Sequence, residues 1–394
     1  MTGPAPSDPP LAFDALTEDA LRAARSLKWT RYGPALGAFV AEMDFGTAPV
    51  VSRALHDAID QGRLGYLTSE AAADMARACA GWQARNYGWE VPRERITPLA
   101  DVVAGLQATV EQFTAPGSAV VLPTPAYMPF LKVPALLGRE LIQVPMVERD
   151  GRMTYDLDGI AGALAAGGGL VVHVNPHNPL GRVFTVDEQL ALADVVDRAG
   201  ARVFSDEIHA PLVHPGAAHR PYASLSPVTA GHTVTATSAS KAWNLPGLKA
   251  AQLILSNDAD VAHWERTGFL FGHGASTPGV LAATAAYDKG GPWVEVVLDY
   301  LDGNRQLLAE LLAERLPGIR YRPPEGTYLA WLDCRDLGLP GSAGDFFLDR
   351  AGVAFVDGPE CGAPGAGHVR LNFATPRPVL RTIVDRMATA LSSA

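Results

Sequence analysis

Between residues 119 and 255 the chain alternates short β-branched runs with helix-like segments, and this constrains the fold more than any other feature of the sequence. Strands joined across helices lie parallel and need helices over both sheet faces. The runs at 119–122, 170–174, 202–205, 233–237 and 251–255 read as strands. Residues 101–113 have helical spacing and stop at Ala115-Pro116-Gly117, and a second helix starts at Thr185, three residues before Glu188, the spacing of a capping box. The expectation is an α/β fold with a large, doubly wound, mostly parallel sheet. Further on, residues 293–315 read as a long amphipathic helix interrupted at Gly303, and strand-like runs at 328–332 and 368–373 alternate with helical stretches. These form a smaller α+β unit. The expected organisation is a tail and arm over 1–45 contributing to the smaller unit, a large ligand-binding unit over 46–285, and the small unit over 286–394.

The composition excludes several classes. With 394 residues, 48% hydrophobic and 19% charged, the chain can bury a large core. Its net charge of −10 and lack of a basic run argue against nucleic acid as a partner. No apolar run reaches the length of a membrane span, and the opening MTGPAPSDPP, without a basic residue or apolar core, reads as a mobile tail rather than a signal peptide. Cys79, Cys334 and Cys361 are odd in number and far apart, which points to a reducing cytoplasm. His209, His214 and His219 recur every five residues, a spacing that suits no single helical face, so no metal is expected.

In an open α/β sheet, ligands bind beyond the carboxyl ends of the strands. Three polar clusters lie there: Asn175-Pro176-His177-Asn178-Pro179-Leu180-Gly181, Ser205-Asp206-Glu207-Ile208-His209, and Thr237-Ser238-Ala239-Ser240-Lys241. Together they offer an amide, a carboxylate, an imidazole, hydroxyls and an amine. That set suits a cofactor with a phenolate oxygen, a ring nitrogen, a phosphate and an aldehyde.

In this order, with Lys249 eight residues after Lys241 and a late Val369-Arg370-Leu371, the clusters resemble the fold-type I pyridoxal-phosphate enzymes of the class I/II aminotransferase superfamily. Lys28-Trp29 with Tyr32, Met43-Asp44-Phe45, Thr124-Pro125-Ala126-Tyr127, His209, Asn244 and Gly326-Thr327-Tyr328-Leu329-Ala330-Trp331 resemble its bacterial cystathionine β-lyase, or carbon-sulfur lyase, branch. The resemblance implies that Lys241 forms the internal Schiff base with pyridoxal 5′-phosphate and later moves the substrate α-proton, which requires an amine of lowered pKa. It implies that Asp206 pairs with the pyridine nitrogen, that Tyr127 stacks on the ring, and that Asn178 and His209 contact the phenolate oxygen. His209 stands where most relatives carry tyrosine. For the phosphate it implies backbone N–H groups of Ala104, Gly105 and Leu106, with Ser238 and Lys249; the last stands where arginine is common. Tyr66 resembles a tyrosine that reaches the neighbouring subunit's phosphate, which implies a homodimer. Arg370, helped by Asn178, would grip the substrate carboxylate.

Three functions follow from the resemblance. The first is β-lyase cleavage of L-cystathionine or a related cysteine S-conjugate to thiol, pyruvate and ammonia. One residue departs from that branch: Pro211 stands where an acidic residue is common. The second is amino-group transfer to a 2-oxo acid. The third is a regulatory protein that keeps the cofactor and contacts a transcription factor.

Overall fold

A computed structural model describes residues 12–393, so the tail expected over residues 1–10 lies outside the described residues. The arm carries a short strand, β1 (Leu36–Gly37). The large sheet is built from β2 (Ile96–Leu99), β3 (Ala119–Thr124), β4 (Leu141–Pro145), β7 (Gly168–Val174), β8 (Arg202–Asp206), β9 (Thr233–Thr237) and β10 (Ala251–Leu255). A separate hairpin, β5 (Val147–Arg149) and β6 (Arg152–Thr154), leaves after β4. The sheet order is β2-β10-β9-β8-β7-β3-β4. Strands β4, β3, β7, β8 and β9 pair in parallel, and β10 runs antiparallel to both of its neighbours.

Side-chain alternation explains why these strands are apolar almost throughout. Leu122, Val172 and Phe204 face one helical layer, in a core with Leu106 and Val110 of α1 (Val102–Phe113). Their neighbours Val121, Val171 and Val203 face the other layer, in a core with Leu192 and Val196 of α2 (Val186–Arg198). A strand covered on both faces loses the polar half of its period-two pattern. The capping box is present at α2, with the Thr185 hydroxyl accepting from the Glu188 N–H and the Glu188 carboxylate accepting from the Thr185 N–H.

Helices α3 (Thr277–Lys289) and α4 (Gly291–Arg315) lead into the second sheet. The expected interruption of α4 at Gly303 does not occur. One glycine costs a helix only about 1 kcal/mol, and Val297, Leu301, Leu308, Leu311 and Leu312 bury a continuous stripe. Gly303 instead leaves room for Arg377, whose guanidinium would stand 2.5 Å from an added Cβ. The second sheet comprises β11 (Arg320–Tyr321), β12 (Leu329–Asp333), β14 (Val356–Asp357) and β15 (His368–Asn372), antiparallel in the order β11-β12-β15-β14. Beside it, β13 (Val353–Ala354) pairs in parallel with β1.

A buried ion pair within the arm docks on these later elements through Ala374. Lys28 Nζ lies 2.8 Å from Asp44 Oδ2, with side-chain exposures of 0% and 3%. Trp29 Nε1 donates to the other Asp44 oxygen at 2.8 Å, and Lys28 Nζ also donates to the Ala374 carbonyl at 3.3 Å. The three cysteines are free and buried. Among the described residues, no helix is long and apolar enough to cross a membrane.

Candidate active site

The ends of β7, β8 and β9, the start of α1 and the arm enclose a cavity of about 350 Å³. Tyr127, Asn178, Asp206, His209, Lys241, Lys249 and Arg370 all line it. Asn178, Asp206 and Lys241 meet there because the parallel strands β7, β8 and β9 place their carboxyl ends side by side, and Arg370 reaches the same space from β15 of the second sheet.

Lys241 Nζ donates to the Ala41 carbonyl at 2.8 Å. Burial, reinforced by the Arg370 charge, lowers its pKa to about 8, so about a tenth of the amine is neutral at pH 7, far more than for an ordinary lysine. Burial pushes Asp206 the other way, up to about 7, against the pull of the Ile208 N–H at 3.0 Å and of Lys241. A cation facing this carboxylate would favour its ionised form. His209 is held neutral, well below the usual imidazole range, by burial and then by Lys241 and Arg370; among the described residues its Nδ1 has no hydrogen-bond partner.

Arg370 is 2% exposed. Its Nη1 donates to Asn178 Oδ1 at 2.9 Å and its Nη2 to the Phe39 carbonyl at 2.6 Å, while Nε has no partner among the described residues. Because Asn178 Oδ1 accepts from Arg370, the amide nitrogen is the end left to donate. The Tyr127 ring packs edge-on against Phe130 at 5.3 Å, and burial raises its hydroxyl pKa.

The start of α1 differs from the sequence expectation by two residues. Asp101 caps the helix through Oδ1, which accepts the Ala104 N–H at 2.9 Å, and the Gly105 N–H returns to the Asp101 carbonyl at 3.2 Å. Leu106 lies deeper in the helix and is fully buried in the core. None of Ala104, Gly105 and Leu106 therefore presents a free N–H. The first-turn donors at the cavity are those of Val102 and Val103. Gly105 allows α1 to approach the sheet closely, since an added Cβ would stand 3.0 Å from that of Ala236.

Ser238 is also committed elsewhere. Its hydroxyl donates to the Ala250 carbonyl at 2.7 Å and accepts the Ser240 N–H at 3.0 Å, and Ser240 lines the cavity in its place. Lys249 Nζ pairs with Asp101 Oδ2 at 2.9 Å and remains largely exposed. Tyr66 is 89% exposed and outside this cavity, its ring stacked 6.1 Å from that of His273. The other two spaced histidines have separate partners: His214 Nε2 meets the Thr327 carbonyl at 2.8 Å, and His219 Nε2 meets Glu207 Oε2 at 3.3 Å.

The donor set fits a pyridoxal-phosphate-like group. An amine of lowered pKa, a buried carboxylate, an unpartnered imidazole nitrogen and a helix start with free N–H groups converge on one space.

The profile of the family described as "Aminotransferase class I and II" matches residues 40–387, most of the chain. The chain belongs to this family. A Mycobacterium tuberculosis member with a provisional cystathionine beta-lyase name is 43% identical, covering 97% of this chain and 98% of its own. A Corynebacterium glutamicum protein named cystathionine beta-lyase is 37% identical, covering 97% and 100%. A crystal structure from Corynebacterium diphtheriae, provisionally described as a PLP-dependent beta-cystathionase, has a TM-score of 0.91 at 40% identity and covers 95% and 98%. As a member of the aminotransferase class I and II family, the chain is an enzyme of the α/β fold that its large sheet displays.

Proposed function

We propose that the protein is a pyridoxal-phosphate-dependent carbon-sulfur β-lyase that cleaves L-cystathionine or a related cysteine S-conjugate to thiol, pyruvate and ammonia. The observation that carries this reading is the pairing of a low-pKa Lys241 amine with a buried Arg370 in one cavity, in a chain whose full-length relatives bear cystathionine beta-lyase names.

Pyridoxal phosphate, when bound, supplies an aldehyde for covalent capture of amines and a cationic ring that accepts electrons from a breaking Cα–H bond. Lys241 would hold the cofactor covalently and, once the substrate amine displaces it, take the α-proton on Nζ. Asp206 would hold the ring nitrogen in its protonated state. Asn178 Nδ2 and His209 would contact the phenolate oxygen, and the Val102 and Val103 N–H groups with Lys249 would face the phosphate. Arg370 would receive the substrate carboxylate on its planar donor edge and so orient the Cα–H bond. After proton removal the C–S bond breaks, its electron pair leaves on sulfur, and water converts the remaining fragment to pyruvate and ammonia.

We extend the proposal to a homodimer in the cytoplasm, with no nucleic acid or membrane partner. A surface carrying exposed Leu64, Tyr66, Phe269 and Leu270 supports self-association, and three free buried cysteines are consistent with a reducing compartment. For the units we propose an N-terminal arm up to residue 45 that belongs with the C-terminal unit, as its described part pairs with β13 and accepts hydrogen bonds from Asn372 of β15, with a division near 285.

Incubation of the loaded enzyme with L-cystathionine and no 2-oxo acid tests the reaction. Equal amounts of pyruvate and thiol are expected. Conversion of the cofactor to its amine form without thiol release would instead favour amino-group transfer, which shares the same residues up to removal of the α-proton and is the namesake chemistry of the family.

A further inference from the structure

The cavity contains a second arginine that the proposed chemistry leaves unused. Arg31 lines its outer part together with Leu27, Tyr32 and Phe39. Its guanidinium lies 5.6 Å from the Tyr32 ring centroid and 5.9 Å from that of Phe39, and the two rings meet edge to face at 5.0 Å. No acidic side chain is paired with it among the described residues, whereas Lys249, the other exposed cation of the cavity, is paired with Asp101. Packing on aromatic faces fixes the guanidinium plane and leaves its N–H edge free for a carboxylate.

Phe39 also relates this arginine to the inner site. Its carbonyl accepts from Arg370 at 2.6 Å, and its ring lies against Arg31. A single residue thus spaces an inner cation, placed to receive the reacting carboxylate, from an outer cation nearer the solvent.

We propose that Arg31 is a specificity-determining residue that binds a carboxylate at the far end of the sulfur substituent, so that the enzyme selects conjugates with an anionic group at each end. This rests on the lyase reading. The preferred substrate class would be dicarboxylic thioethers rather than simple S-alkyl cysteines.

The test compares wild type, Arg31→Leu and Arg31→Lys on three conjugates: L-cystathionine, S-(3-carboxypropyl)-L-cysteine, which keeps the distal carboxylate but lacks the distal amine, and S-butyl-L-cysteine, which lacks both. Visible absorbance of each loaded variant checks that the inner site is intact. Losing a charged hydrogen-bond donor corresponds to about 10- to 100-fold. Arg31→Leu should reduce kcat/KM for the two carboxylate-bearing conjugates by that factor relative to S-butyl-L-cysteine, mainly through KM, and Arg31→Lys should restore part of it. Equal losses on all three conjugates, or no change in their ratio, would overturn the assignment of Arg31 while leaving the lyase reading standing. Wild-type protein that released no thiol from any of the three would overturn both.

Discussion

Lys241 and Asp206 show how one environment adjusts two groups in opposite directions. Burial disfavours charge on each, which lowers the amine to about 8 and raises the carboxyl to about 7. A lowered lysine pKa means that the neutral, nucleophilic amine gains population as pH rises through about 8. Capture of pyridoxal phosphate by cofactor-free protein, followed by absorbance, should therefore accelerate with a midpoint near pH 8; a midpoint near the ordinary lysine value would contradict the burial argument. Replacing Lys241 by Ala should lower turnover by about 10²- to 10⁴-fold, the contribution of a positioned acid-base group. Steady-state pyruvate release measures this, and turnover equal to wild type would exclude Lys241 as the proton carrier. The clusters bearing Asn178, Asp206 and Lys241 could be read from sequence because each directly follows an apolar strand. The commitments of Ser238 and Ala104 could not, since they depend on where a carbonyl of β10's entry and a capping carboxylate come to lie.

At the scale of elements, α1 and the arm position the site. Gly105 brings α1 close against β9, where an added Cβ would crowd Ala236 at 3.0 Å and Phe204 at 3.4 Å. Gly105→Val should destabilise the protein by about 1–3 kcal/mol through overpacking, visible as a lowered thermal midpoint; an unchanged midpoint would show that the helix can shift freely. The alternation over 119–255 was sufficient to foresee the parallel sheet, but not the reversed direction of β10, because an apolar strand looks the same in either direction. Gly303 misled for a related reason. Glycine marks a helix break or a close approach equally well, and only the position of Arg377 distinguishes them.

At the scale of the whole molecule, long-range links close the structure. The Lys28–Asp44 pair lies within the arm and is held to the C-terminal unit by hydrogen bonds from Lys28 Nζ and the Asp44 N–H to the Ala374 carbonyl, and breaking a buried pair from one side leaves an uncompensated charge. Lys28→Met should cost about 3–5 kcal/mol, measured by denaturant unfolding. A loss below 1 kcal/mol would mean that water reaches Asp44. The walls supplied by the arm, Phe39 and Ala41 among them, carry no motif and meet the strand-end clusters only through the tertiary fold, so composition and periodicity did not reveal them. The exposed Tyr66, Phe269 and Leu270 surface belongs to this scale as well. Sedimentation of the loaded protein should give a dimer, and Phe269→Asp with Leu270→Asp should shift it toward monomer.

The central claim is that the cavity at the strand ends is a pyridoxal-phosphate site anchored on Lys241. Borohydride reduction of the protein incubated with pyridoxal phosphate, followed by peptide mass spectrometry, tests it most directly. The account predicts one added cofactor mass, on the peptide containing Lys241. A modification confined to Lys249 or another lysine, or no stable modification, would contradict it.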